Sequence, residues 1–145
     1  MHKLLYNIEK FKNNIALIDK DNKKDSYKNV VNLSKNISSK IKNKSLILLI
    51  SSNSIESIIG YISFVRSNNI TIILDKSFNK DFATEIVKRY KPNYIFSPKN
   101  YFRINGKELK LSFFKEYNLI KTQNKNHNKI NKKNFILLST SGTTH

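Results

Sequence analysis

The residues best equipped to do chemistry are Ser139, Thr140, Ser141, Gly142, Thr143 and Thr144, which directly follow the apolar run Phe135-Ile136-Leu137-Leu138. A short apolar strand that breaks into small hydroxylated residues around a glycine has the make-up of a phosphate loop. Gly142 can take a positive φ without steric cost, so successive backbone N–H groups can turn inward as an anion-binding nest, and the flanking hydroxyls add donors. Such a loop disperses negative charge; it neither attacks nor exchanges protons. Nothing elsewhere in the sequence competes with it. His2, His127 and His145 are scattered, with no second ligand at metal spacing and no serine or carboxylate partner that sequence alone places beside them. The sequence has no cysteine, which removes disulfides and thiolate metal sites. No residue is assigned a catalytic or metal-ligating role.

Such a loop belongs at the carboxyl edge of a sheet, where open α/β sheets bind ligands. The rest of the chain reads as that sheet: an α/β fold, a mainly parallel sheet of βαβ units flanked by helices. Leu4, Leu5, Ile8 and Phe11 stand at the spacing of a short amphipathic helix, residues 15–19 form a strand, and residues 20–25 are a polar turn. Ser26 is placed to cap a helix whose buried face runs through Tyr27, Val30, Val31, Leu33, Ser34, Ile37 and Ile41. Residues 45–50 are apolar without alternation, as a parallel strand covered on both faces should be. Asn53 is expected to cap the next helix with Glu56 reaching back to it, and Ile55, Ile58, Ile59, Ile62 and Val65 are expected on its buried face, with Gly60 allowing close packing. Residues 70–74 form the next strand. A helix opening at 77–79 and carrying Phe82, Ile86 and Tyr90 ends before Pro92, and 94–97 is a third parallel strand. Residues 102–104 and 108–111 read as a hairpin through Asn105-Gly106, and 113–122 as a further strand. Residues 123–134 form a polar loop before the strand and phosphate loop of 135–144, and the whole, 1–145, reads as one partial domain.

Composition sets limits without naming a partner. A chain of 145 residues suits one core. Lys+Arg 27 against Asp+Glu 10 gives a net charge of +17, which ordinarily points to nucleic acid, anionic membranes or acidic ligands. Lysine supplies nearly all of it, with Arg66, Arg89 and Arg103 the only arginines, and asparagine, isoleucine, phenylalanine and tyrosine are abundant too. Those residues share adenine- and thymine-rich codons, so a biased genome accounts for the charge and no specific nucleic acid is expected. Lys3, Asn7, Glu9 and Lys10 interrupt the first twelve residues, excluding an ordinary signal peptide, and no apolar run nears the about 18 residues of a membrane helix. A cytoplasmic location and no membrane partner are the expectations.

Leu137-Leu138-Ser139-Thr140-Ser141-Gly142-Thr143-Thr144 resembles the phosphate-loop motif of the adenylate-forming enzymes, the superfamily of acyl-CoA synthetases, peptide-synthetase adenylation domains and luciferases. Its usual form is Ser/Thr-Ser-Gly-Thr-Thr-Gly, followed shortly by proline, lysine and glycine. His145 stands where the next glycine belongs, and the proline and phosphate-contacting lysine are not among these residues. The resemblance extends upstream, to the strand of 15–19, the tyrosine-led helix of 27–41, the strand ending in the Asn-Ser-x-Glu turn at 53–56, the strand closing on Asp75 and the Lys-Pro-x-Tyr-Ile strand at 91–95. It implies the N-terminal segment of an ATP-dependent carboxylate-activating enzyme, with Ser139 to Thr144 on the ATP phosphates. By the same resemblance the complete enzyme uses ATP and Mg²⁺, activates a small-molecule carboxylate and passes the acyl group to coenzyme A or a carrier protein. The adenine- and ribose-binding motifs and the catalytic lysine of the family are not among these residues, so the segment is expected to be inactive alone and to hold no cofactor tightly. Two other classes stay open on the residues themselves: a non-catalytic module of a split synthetase, docking through the sheet edge after Leu138, and a basic nucleic-acid-binding domain.

Overall fold

The computed structural model describes residues 7–42, 44–124 and, as backbone, 136–138. Ser45, sealed by Lys42 O and the Asn69 side chain, leads into β3, Leu46–Ser51, and every residue of β3 but the last is buried. Alternation explains why no polar residue interrupts it. Ile47 and Leu49 face one core with Val30, Ile37, Ile59, Phe64 and Phe96, while Leu46, Leu48 and Ile50 face a second with Ile72, Leu74, Ala83 and Ile95. The protein is thus a three-layer α/β sandwich, with helices α1 (Tyr27–Ser38) and α2 (Ile55–Arg66) over one face and α3 (Lys80–Tyr90) over the other.

β3 pairs in parallel with β4, Ile70–Asp75, on one side and with β5, Tyr94–Pro98, on the other. The three strands expected to be parallel and in one sheet are so. The sheet is mixed, because β7, Tyr117–Thr122, runs antiparallel to β5 and β6, Gly106–Leu109, antiparallel to β7. With β8, Ile136–Leu138, beside β4, the order is β6-β7-β5-β3-β4-β8. A separate two-stranded hairpin, β1 (Ile15–Ile18) with β2 (Lys24–Ser26), precedes α1.

Local chemistry sets these boundaries, and in places it departs from expectation. Ser26 caps α1 by accepting from Asn29 N, as its position suggests. The turn at 20–25 is shorter than expected: the Asp19 carboxylate accepts from Asp21 N and Lys23 N, both at 2.8 Å, which frees 24–26 to pair as β2. The first helix is only a 3₁₀ turn over Ile8–Phe11 among the described residues, with Ile8 buried and Phe11 exposed. Ser54, not Asn53, caps α2, and Glu56 does not reach back. The buried face of α2 is Ser57, Ile59, Gly60, Ser63, Phe64 and Val65, and Ile58 is left exposed. It is turned toward α1 by small residues, Ser63 Oγ donating to Ser34 O at 2.9 Å. Lys91 leaves α3 through a left-handed conformation, φ 47° and ψ 56°, before Pro92.

The hairpin expected across Asn105-Gly106 does not form. Neither residue has a positive φ, which a tight primed turn requires, and residues 102–104 are not strand. Gly106 instead begins β6, whose partner lies further along the chain at 119–122. The expected strand of 113–122 shortens to β7, Tyr117–Thr122. The polar loop of 123–134 lies almost wholly outside the described residues.

Candidate functional site

β8 is where the expected site meets the described structure. Its residues pair in parallel with β4, Ile136 beside Thr71, Leu137 beside Ile72 and Leu138 beside Ile73. Parallel pairing sends the chain off the sheet at the same edge where β3 and β4 end, at Ser51 and Asp75. Ser139, Thr140, Ser141, Gly142, Thr143 and Thr144 lie outside the described residues. The strand leading to the loop is placed, and the six residues themselves are not.

Two arrangements of side chains at that carboxyl edge were not legible in the sequence. At the end of β3, hydroxyls close the turn into α2. Ser54 Oγ accepts from Ser57 N and Ser57 Oγ from Ser52 N, both at 3.2 Å, while Ser52 Oγ lies 3.0 Å from Ser54 Oγ and 2.8 Å from the Tyr117 phenol. The Tyr117 hydroxyl donates to Ile50 O at 3.0 Å. Glu56, in the first turn of α2, accepts from Lys115 N, Glu116 N and Tyr117 N at 2.8, 3.1 and 2.8 Å. These groups are used on one another, so the turn is a platform that fixes the edge and not itself a binding surface.

At the end of β4, Asp75 accepts from Ser77 N at 2.8 Å. The Ser77 hydroxyl and amide, against the opposing effect of burial, hold the Asp75 carboxyl below the usual aspartate range, with Lys76 adding to them. A negative charge therefore persists there. Tyr101 donates to Phe78 O at 2.8 Å, and burial together with the Asp75 charge keeps its phenol above the usual tyrosine range. Next to it a cleft of about 490 Å³ presents Lys80, Arg103, Asn100 and Asn118.

A second cleft, about 320 Å³, separates the β1–β2 hairpin from the start of α2 and gathers Asp19, Asp21, Asp25, Glu56 and Glu116. Three of these are engaged internally: Asp19 closes the hairpin, Asp25 accepts from Asn29 Nδ2, and Glu56 holds the amides before β7. Among the described residues no three His, Asp or Glu side chains come together as a metal site. Mg²⁺ takes oxygen ligands in near-octahedral geometry, and the hydroxyl platform with Asp75 does not supply that set.

The aromatic side chains also bear on the class of ligand. Phe64, Phe96, Phe114, Tyr94 and Tyr117 are all buried, and Phe96 packs its ring against Phe64, Phe114 and Tyr117. These five are core and offer no stacking surface to a single-stranded nucleic acid, while Phe11, Tyr90 and Phe113 are exposed rings among the described residues. No helix among the described residues is long and apolar enough to cross a membrane.

No protein-family model matches the sequence, and no curated protein does. Solved structures do match the fold. The luciferase-like enzyme from the nonluminescent Zophobas morio mealworm aligns over 68% of this chain and 24% of its own, at 22% identity and a TM-score of 0.55. Apo MatB from Rhodopseudomonas palustris aligns over 69% of this chain and 22% of its own, at 13% identity and a TM-score of 0.59. The four-domain nonribosomal peptide synthetase holo-AB3403, bound to AMP and glycine, aligns over 67% of this chain and 8% of its own, at 15% identity and a TM-score of 0.55. The chain spans less than a quarter of each of these. At such identities the likeness concerns architecture: these three structures share with this chain an α/β fold in which βαβ units build a mixed sheet flanked by helices.

Proposed function

We propose that this chain is the N-terminal part of an ATP-dependent carboxylate-activating enzyme, with Ser139, Thr140, Ser141, Gly142, Thr143 and Thr144 as the loop that takes the ATP phosphates. The observation that supports the reading is β8: this strand, which precedes the hydroxyl-rich run in the sequence, pairs in parallel with β4 and ends at the carboxyl edge of the parallel strands. Ligands of open α/β sheets bind at that edge. The loop's amides and hydroxyls spread the phosphates' charge while a carboxylate attacks the α-phosphate and pyrophosphate departs. Coenzyme A or a carrier protein is the acyl acceptor, and the location is cytoplasmic. Likeness to a peptide synthetase bound to AMP and glycine supports the nucleotide and carboxylate classes.

The 145 residues cover at most 24% of any of the three matched chains, so adenylation by this segment alone is not expected. Carboxylate-dependent exchange of labelled pyrophosphate into ATP should be absent. Phosphorus NMR of ATP titrated with the segment tests the loop itself. Weak, salt-sensitive shifts of the β and γ resonances are expected, reduced by Thr143→Ala with Thr144→Ala. Equal shifts from both proteins would assign the attraction to the lysines and overturn the assignment.

A further inference from the structure

Asn105-Gly106 is the chain's one Asn-Gly pair, and the fold does not use it as a turn. Asn105 is exposed and lies outside any helix or strand, and its side-chain amide makes no hydrogen bond among the described residues. Gly106 has no side chain to shield its own backbone nitrogen. We propose that Asn105 is a site of spontaneous, non-enzymatic conversion to aspartate and isoaspartate. The Gly106 amide nitrogen, giving its proton to solvent base, forms a bond to Asn105 Cγ. The Cγ–Nδ2 bond breaks, Nδ2 leaves as ammonia, and a five-membered succinimide remains. Water then adds to one of the two ring carbonyls and opens the ring to an aspartyl or isoaspartyl residue. The balance is asparagine plus water giving the acid plus ammonia, with no oxidant or cofactor.

The location decides what the conversion does. Gly106 is the first residue of edge strand β6 and pairs with Thr122. It lies so close to β7 that a Cβ there would come 2.5 Å from Lys121 O and 2.6 Å from Ile120 Cγ2. The extra backbone carbon of isoaspartate enters the chain immediately before this close approach, so its arrival shifts the start of β6 from its register with β7. β7 itself keeps five pairs to β5. The change is confined to the sheet margin, and each conversion adds a negative charge between Arg103 and Lys107.

The test is incubation of the full chain in mildly alkaline buffer made with heavy-oxygen water, followed by trypsin and mass spectrometry. Cleavage after Arg103 and Lys107 isolates residues 104–107 as one peptide. That peptide should lose its amide and gain one solvent oxygen before any other asparagine peptide does, and an isoaspartate methylation assay should label it. Asn105→Gln, whose longer side chain closes the ring far more slowly, should abolish the signal. Hydrogen exchange on aged protein should show lost protection at 107–109 with the β5–β7 ladder unchanged. Retention of the amide at 105 while the peptides bearing Asn53 or Asn126 convert, or equal labelling in the Asn105→Gln protein, would overturn the proposal.

Discussion

Gly60 lies on the face of α2 that meets the sheet, and the ring of Phe96 fills the space a Cβ would occupy. Gly60→Ala is therefore a contest between two known effects. Helix propensity favours alanine by about 1 kcal/mol, while forcing a methyl into a packed core costs about 1–3 kcal/mol. Phe96 also touches Phe64, Phe114 and Tyr117, so its ring has nowhere to move and the second effect wins. Urea unfolding should show a loss of about 1–2 kcal/mol, partly recovered by adding Phe96→Leu. Asp75 offers a check on electrostatics at the same scale. Its folded-state pKa is lowered, so its contribution to stability is present above the ordinary aspartate range and is lost as pH falls through the lowered value. An NMR titration of its carboxyl should have a midpoint below that of a model aspartate, and Ser77→Ala should move it upward. The close packing of Gly60 is legible from a glycine inside an apolar helical pattern. The pairing of Asp75 with Ser77 is local but rests on loop geometry that composition does not encode.

α2 and β7 are joined by Glu56, whose carboxylate takes three successive amides ahead of and at the first residue of the strand. A hydrogen bond to a charged group contributes about 1.5–3 kcal/mol, but two of these three are solvent-exposed, so Glu56→Ala should cost about 2 kcal/mol in all. Hydrogen exchange should speed up first at 115–117, and loss confined to the first turn of α2 would instead indicate an ordinary capping role. Sequence reasoning put Glu56 in a capping box because the box is defined by spacing alone. Its real partners lie about sixty residues away, beyond the reach of any local pattern. The same division runs through the sheet. β3, β4 and β5 are legible because burial on both faces demands uninterrupted apolar runs. β6 is not: Gly106–Leu109 is an exposed edge strand held by its ladder with β7, and its Asn-Gly start carries a turn signal that the fold ignores. The strand before Ser139 was legible, since 135–138 is apolar and short, and β8 falls inside it. The hydroxyl platform of Ser52, Ser54 and Tyr117 was not, because it joins residues brought together only by the antiparallel return of β7.

The whole molecule carries +17, with few arginines to make bidentate contacts to bases. Oligonucleotides should therefore bind weakly and without regard to sequence, and the binding should fall steeply with added salt. A preference of about a hundredfold or more for one sequence in matched titrations would contradict this. Sheet order has a consequence in time. β4 sits between β3 and β8, and its outer neighbour is encoded about sixty residues after Asp75. At roughly 5–20 residues per second of synthesis, the ribosome needs about 3–12 s to cover that distance. Throughout that interval the outer edge of Ile70–Asp75, apolar but for Thr71 and its final aspartate, has amides and carbonyls waiting for a partner. An open apolar edge invites pairing between nascent chains on neighbouring ribosomes. The surplus of lysine opposes that encounter, because growing chains of like charge repel one another until β8 closes the seam.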